Sequence, residues 1–573
     1  MPVLEARHLR KVFDGFVAVD DVSFAVEPGE VFGLLGPNGA GKSTTMMMLA
    51  GLLPPDAGTV LIDGQAFHPR DRALRRTLGV VPQDLAIYPE LSARENLEFL
   101  GRLYGVRGAD LRDRIAEVLE RIGLAGRADD RVGDLSGGMK RRLNFGAALL
   151  HRPRVLILDE PTVGVDPLSR RELWEIILRL VSDEGLTVLL STSYLDEAER
   201  CQRVAVMHGG KVLAAGPPAS VRRLADGRTF LATPPGGEPA RILQARLLDD
   251  PSVVDAVPEA GRVRLVRADG ATGDLDGIET QATSPRFEDG FMVLLNKAGD
   301  RKGRAAAPAR PAATRDGPAV EVRDLVRRFG AFTAVDHLSF EVRSGEIFGL
   351  LGPNGAGKTT TFRMLCGLLP ATGGTLRVAG ADLRQARASA RQRIGYVAQK
   401  FSLYGQLSVS ENLEFFAGAY GLAGRLRAER IAWAIEEFEL TGFARLASGQ
   451  LPGGYKQRLA MAAALMHQPE ILFLDEPTSG ADPLARREFW RRITALAQGG
   501  VTVIVTTHFM EEAEYCDRVV ILDAGRLHAE GTPAEIRALA PARDDREPTM
   551  EDAFVAIVEE ARRRGDDDRA RAA

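Results

Sequence analysis

Residues 31–45 read VFGLLGPNGAGKSTT, and residues 347–361 read IFGLLGPNGAGKTTT. Each is an apolar, strand-like run, then a glycine-rich loop, then a stretch of helical character (TTMMMLAGLL; TTFRMLCGLL). Gly36–Ser43 and Gly352–Thr359 fit G-x-x-x-x-G-K-[ST] in full, in the strand–loop–helix setting that the motif needs. Gly36, Gly39 and Gly41, with Gly352, Gly355 and Gly357, let backbone amides turn inward with no Cβ in the way. Pro37, Asn38, Ala40 and Thr44 complete the first loop, and Pro353, Asn354, Ala356 and Thr360 the second. Loop amides and the helix N-terminus together suit an anionic phosphate. Lys42 and Lys358 are expected to reach its β- and γ-phosphates, and Ser43 and Thr359 to offer a hydroxyl to Mg²⁺.

The loop is one part of a longer repeat. Gln83/Gln399, Ser136/Pro452 and Asp159/Asp475 all keep the offset of Lys42/Lys358. After Trp174/Trp490 the first copy gains one residue, so Ser193 answers to His508 and Cys201 to Cys516. The two halves are therefore expected to be one fold duplicated. A further echo, Pro285-x-x-Glu288-Asp289-x-Phe291 and Pro548-x-x-Glu551-Asp552-x-Phe554, predicts a short amphipathic helix with acids in its first turn. Between the halves, RTFLAT and RVRLVRA look like strands and ARILQARLL like a helix, a small α+β extension with no chemistry visible in it. The segment 300–317 is rich in Ala, Pro and Arg and reads as a linker. The expected organisation is 1–220, first nucleotide-binding domain; 221–299, extension; 300–317, linker; 318–538, second nucleotide-binding domain; 539–573, C-terminal helix and frayed tail.

Composition excludes several classes. The chain has 573 residues, 45% apolar and 27% charged, enough to build several cores and too apolar to be disordered throughout. A net charge of −4 gives no basic signature for nucleic acid, and none is expected as a partner. Three cysteines, none in a C-x-x-C pair, give neither a disulfide framework nor a zinc ribbon. No apolar run approaches the ~20 residues that span a bilayer, so a soluble chain is expected, and service to a membrane would need a partner.

VLILDEP (Val155–Pro161) and ILFLDEP (Ile471–Pro477) read as buried strands ending in two acids. Asp159 and Asp475 are expected to help hold Mg²⁺, and Glu160 and Glu476 to orient the attacking water.

At these residues the chain resembles the ATP-binding cassette family. LSGGMKRRL (Leu135–Leu143) looks like its signature motif, with Ser136, Gly137 and Gly138 as phosphate-contacting residues. Gln83 and Gln399 resemble its Q-loop glutamines, which the family uses at the metal. Gly164-Val165-Asp166 and Gly480-Ala481-Asp482 resemble its D-loops, and His508 its switch histidine. Phe13 and Phe329 sit where the family places an adenine-stacking aromatic, with Phe16 and Phe332 close by. The likeness covers both halves. It implies an α/β fold of two tandem P-loop NTPase domains, each with a helical subdomain, and ATPase activity with ATP and Mg²⁺. The ENL segments (Glu95–Leu97, Glu411–Leu413), the DEPT-x-G-x-DP strings and the Glu-Asp-x-Phe tails resemble the ABC-2-type exporter branch, daunorubicin-resistance pumps included. That branch implies a peripheral motor on the cytoplasmic face of the inner membrane, driving separately encoded permeases through the surfaces near Asp84–Pro89 and Lys400–Tyr404. The chain is also similar to ribosome-bound twin-cassette translation factors, but it lacks their Asn-His-Leu-Asp D-loop and their long charged joint between cassettes. The lobe between Lys42 and Asp159 is too short, and free of heptads and cysteine clusters, for a DNA-repair ATPase.

The family pairs its cassettes head to tail, each ATP between the P-loop of one and the signature of the other; a single chain with a tether can do so internally. Two departures stand out. The second signature reads LPGGYKQRL, with Pro452 before Gly453 and Gly454, and proline has neither hydroxyl nor N–H. The first switch position is Ser193, which cannot carry charge. Under head-to-tail pairing both departures fall in site one (P-loop 1, Glu160, Ser193 and the Pro452 signature). Site two (P-loop 2, Glu476, His508 and the Ser136 signature) is complete.

Overall fold

The computed structural model describes the chain apart from residues 69, 272–274, 276, 300–316, 384–389, 400, 543–546 and 573, and the side chains of 565–572. The expected linker thus lies outside the described residues but for Gly317, and so does Lys400.

Each half is built on a six-stranded sheet. In the first the order is Lys211–Gly216, Arg203–His208, Val31–Leu35, Thr187–Thr192, Val155–Asp159, Leu78–Val81. All neighbours are parallel except the outermost pair, Lys211–Gly216 with Arg203–His208. The second half repeats the order with Arg526–Gly531, Arg518–Asp523, Ile347–Leu351, Thr502–Thr507, Ile471–Asp475 and Ile394–Val397. Val31–Leu35 and Ile347–Leu351 are buried at every position, which is why these runs are apolar without alternation. One face of the sheet packs on the P-loop helix and a four-stranded antiparallel sheet, through Phe32, Leu34, Met46 and Leu49 in the first half. The other face packs on Trp174 and Ile177 of the helix Pro167–Glu184 and runs into a helical subdomain of Ala93–Leu103, Gly108–Arg121 and Gly137–Ala147.

This order places function at the carboxyl ends of the parallel strands, the usual ligand side of open α/β sheets. Leu35 leads into the P-loop, Asp159 into Glu160 and Thr192 into Ser193, from three strands that lie side by side.

The extension is α+β. Strands Val253–Glu259, Arg262–Arg267, Thr229–Ala232 and Thr280–Ala282 form an antiparallel sheet in that order. The helix Ala240–Asp249 covers it through Leu243 and Leu247, against Val253, Val263 and Leu265. Both Glu-Asp-x-Phe echoes are helical, Phe287–Lys297 and Met550–Ala572. The second runs to Ala572, where the sequence reading expects a frayed tail; Arg562 pairs with Asp523 at 3.1 Å and Arg564 with Glu560 one turn away, which ties down charged turns with little apolar surface. Cys201 and Cys516 are buried, each Sγ lying against the central-strand glycine of its half, Gly33 or Gly349.

Candidate nucleotide sites

In the first half Lys42 is 5% exposed, and its Nζ donates to the carbonyls of Gly36 at 2.8 Å and Pro37 at 3.2 Å. These bonds hold the P-loop closed on the lysine. Nζ also lies 3.7 Å from Glu160 Oε1. Burial pulls the Lys42 pKa down, and the neighbouring Glu160 opposes it. Ser43 Oγ donates to Asp159 Oδ1 at 3.2 Å, and Ser191 Oγ donates to the same oxygen at 2.5 Å.

Glu160 follows the strand end with φ of 46°, a left-handed backbone that a residue with a Cβ adopts at a cost. The bend is held by its own N–H, which donates to Ser191 O at 3.2 Å and Oγ at 2.9 Å. Glu476 repeats it with φ of 45° and bonds to Thr506 O and Oγ1, both at 3.0 Å. Sequence reasoning missed Ser191 and Thr506. The only sign was a hydroxyl on the strand beside each DEP strand at matching positions.

The two carboxylates then differ. Gln83 Nε2 donates to Glu160 Oε2 at 3.3 Å; no histidine pairs with Glu160 among the described residues, and Ser193, 4% exposed, stands at the position equivalent to His508. Burial pushes the Glu160 carboxyl above its usual range despite Lys42. Glu476 Oε2 accepts from Gln399 Nε2 at 2.6 Å and lies 3.1 Å from His508 Nδ1. Burial acts on Glu476 as well, but the His508 pair outweighs it and holds the carboxyl below its usual range. His508 Nε2 is buried and has no hydrogen-bond partner among the described residues, so the ring's second nitrogen is left for something the protein does not supply. Lys358 Nζ donates to Gly352 O at 2.5 Å and Pro353 O at 3.0 Å, as Lys42 does in its loop.

In the first half Ser43 and Asp159 bring one hydroxyl and one carboxylate together, and Thr359 and Asp475 hold the equivalent positions of the second half. Asp475 Oδ1 accepts from Thr506 Oγ1 at 2.6 Å. Burial raises the Asp475 carboxyl, with the Thr506 bond opposing. Among the described residues there is no group of three or more His, Cys, Asp or Glu able to enclose an ion. This sparse all-oxygen set fits Mg²⁺, which keeps waters and takes phosphate oxygens to complete its octahedron. Gln83 and Gln399 turn their amide N–H groups to the glutamates.

The loops of each half face the other half. Asn38 N–H donates to Asp482 Oδ2 at 3.1 Å, and Asn38 Nδ2 to Gly480 O at 2.7 Å. Asn354 Nδ2 donates to Gly164 O at 3.5 Å. A Cβ built on Gly137 would lie 3.8 Å from Asn354 Nδ2, whereas Gly453 and Gly454 have nothing within 4 Å. Ser136 caps its helix, Oγ accepting from Met139 N–H at 3.2 Å; Pro452 holds the same position with no side-chain bond. Gly138 is pressed on the other side, since a Cβ there would come 2.3 Å from Ser169 Oγ. Phe13 and Phe329 end their strands half exposed, under Lys11 and Arg327 respectively, with Phe16 and Phe332 more exposed still.

Residues 19–163 and 335–479 each match the family model described as "ABC transporter". The chain is 46% identical over 566 residues, 97% of its length and 98% of the relative's, to the probable multidrug ABC transporter ATP-binding protein YbhF of Escherichia coli. One part of it, 37% of the chain, is 44% identical to 69% of the linearmycin resistance ATP-binding protein LnrL of Bacillus subtilis. Among solved structures, cbiO1 of Clostridium perfringens, part of an ABC transporter complex, matches 38% of this chain and 90% of its own at 31% identity and a TM-score of 0.37.

Proposed function

Because the chain belongs to the ABC transporter family, as an ATP-hydrolysing subunit with two ATP-binding domains in one polypeptide, we propose that it is the motor of an ABC-2-type exporter whose permeases are separate chains. We further infer, from the exporter reading, that the motor sits peripherally at the cytoplasmic face of the inner membrane; no described helix is long and apolar enough to cross a membrane. Relatives named for multidrug transport and for linearmycin resistance support outward transport.

The two domains work head to tail within the chain. Loop amides and Lys42 or Lys358 grip the triphosphate, and the adenine lies toward Phe13 or Phe329. Ser43, Asp159 and Gln83, or Thr359, Asp475 and Gln399, would hold Mg²⁺, which would supply charge neutralisation at the phosphate oxygens. In site two Glu476 positions the attacking water, Gln399 and His508 fix the carboxylate, and His508 Nε2 faces the γ-phosphate. The Ser136 hydroxyl and the amides of Gly137 and Gly138 close on the same phosphate from the first half. Site one has the cradle and Glu160 but sets Ser193 and the Pro452-Gly453-Gly454 turn in those places. It therefore binds ATP and turns it over slowly, while site two carries the cycle.

The observation that carries this reading is the imidazole 3.1 Å from Glu476 and its replacement by a serine beside Glu160. Losing a preorganised group of this kind costs ~10²–10³ in rate. ATPase of the purified chain is therefore expected to fall by about that factor in Glu476→Gln and by less than about tenfold in Glu160→Gln. Equal losses overturn the asymmetry. Co-purification with ribosomes in place of integral membrane protein overturns the exporter assignment.

A further inference from the structure

The paired Glu-Asp-x-Phe helices take no part in either nucleotide site, yet they cross between the halves. Phe291 and Phe554 are fully buried. The first helix packs on the switch turn Leu195–Ala198 of its own half, where Phe287 N–H donates to Glu199 Oε1 at 3.1 Å; the second packs on the corresponding turn Met510–Ala513. The aspartate of each echo caps its own helix, Asp289 accepting from Arg286 N–H at 2.6 Å and Asp552 from Thr549 N–H at 2.9 Å, and Asp289 also accepts from Arg264 Nη2 of the extension at 2.7 Å.

The glutamate before it reaches over. Glu288 pairs with Arg487, and Glu551 lies 2.9 Å from Arg170. Arg487 and Arg170 stand on Pro483–Gln498 and Pro167–Glu184, the helices that begin at the D-loops of the opposite halves. At the start of those helices Leu168 packs into the core of the second half and Leu484 into that of the first. Beside them Tyr194 and Phe509, the neighbours of Ser193 and His508, meet with ring centroids 5.5 Å apart.

The exchange is reciprocal, but the extension reinforces one side only. Asp255 lies 3.3 Å from Arg487 and, like it, is under 9% exposed. Arg241 Nη2 donates to both oxygens of Asp517 at 2.8 Å. Ala260 N–H donates to Glu514 at 2.9 Å, and Arg491 pairs with Asp249. None of these partners belongs to a P-loop, a signature or a DEP strand.

We propose that the two Glu-Asp-x-Phe helices and the 221–299 extension form a nucleotide-independent clamp, built on Glu288–Arg487–Asp255 and Glu551–Arg170, about which the nucleotide faces open and close while the halves stay joined. The inference rests on the two-domain ATPase reading but not on which site hydrolyses. A tether alone keeps two domains near each other; a clamp raises their effective concentration further, so less ATP is needed to close them.

The test uses the full chain with two spin-label pairs. Glu175→Cys with Gln498→Cys spans the D-loop helices at the base. Asp134→Cys with Arg328→Cys spans the nucleotide face. Cys201, Cys366 and Cys516 are buried, and burial pushes all three thiols up, so they resist labelling. Without nucleotide, the base pair is expected to give one narrow distance that ATP with Mg²⁺ leaves in place, while the face distance shortens. Arg487→Ala, and independently Glu288→Gln with Glu551→Gln should the first fail to fold, broadens the base distance. It also raises the ATP concentration for half-maximal ATPase several-fold with maximal rate held within about twofold, and Arg487→Lys restores part of both. A broad base distance in the unsubstituted nucleotide-free chain overturns the clamp, as does a narrow one in both variants. Glu476→Gln, by contrast, lowers turnover by ~10²–10³ without moving the base distance, so failure of the catalytic reading is seen separately.

Discussion

Glu160 and Glu476 leave equivalent strands with the same bent backbone and the same pair of hydroxyl-strand hydrogen bonds, and their carboxyls are nevertheless pushed in opposite directions. Burial acts on both. The difference is one partner: His508 holds the Glu476 carboxyl below its usual range, and Ser193 leaves Glu160 to Lys42 and Gln83. A duplicated fold can thus keep two nearly identical scaffolds and set their chemistry apart at a single contact. The signatures diverge in the same sense, Ser136 capped and Gly138 tightly packed, Pro452 uncapped and Gly454 in open space.

The strongest way to break this comparison is the glutamine pair already described, with ~10²–10³ expected at Glu476 and much less at Glu160. Next is an exchange of the switch side chains. His508→Ser is expected to cut ATPase by about 10–100-fold, since the carboxylate loses its orienting partner. Ser193→His on the native background is expected to change it by less than about twofold, because Pro452 still leaves the second signature without the hydroxyl that Ser136 supplies in the first; a large gain would show that Ser193 alone sets site one back.

A smaller effect separates the signature glycines. Gly138→Ala drives a Cβ into Ser169 and is expected to cost about 1–3 kcal/mol, read as a lower melting temperature. Gly454→Ala meets no atom within 4 Å and is expected to leave melting unchanged or slightly raised.

The smallest effect concerns a feature the halves share. His467 stacks on Tyr420 at 3.7 Å, and burial pushes its pKa down to about 4; His151 stacks on Tyr104 at 4.0 Å and is lowered for the same reason. The folded chain keeps His467 neutral, whereas in the unfolded chain it titrates near 6.5. Its contribution is present above that value and lost as pH falls from about 6.5 toward about 4. The melting temperature of the second half is expected to drop by a few degrees over that window, and His467→Phe, which keeps the stack, to flatten the drop.

Much of this was legible before any coordinates. Val31–Leu35 and Ile347–Leu351 are continuous apolar runs because both faces of the sheet are covered, and a phosphate loop needs its glycines and lysine at set spacings, so both features appear as strings. Asn96 and Asn412 show what such strings leave out. The ENL segments read as a likeness only, but each asparagine is fully buried and clamps the backbone of Tyr88 or Tyr404, fixing the loop that follows the Q-loop glutamine. The length of the last helix was hidden too: Arg562, within the expected tail, pairs with Asp523, a strand residue 39 positions earlier.

The linear order of residues determined the duplicated fold, the phosphate loops and the two places where the copies differ, because local backbone geometry and strand burial impose residue types at fixed spacing. Only the tertiary structure decided that His508 reaches Glu476, that Ser191 and Thr506 brace the bent carboxylates, and that Glu288 and Glu551 pair across the halves. Those contacts join residues dozens to hundreds of positions apart, and an ion pair or a buried bond at such separation leaves no periodicity in the chain to read.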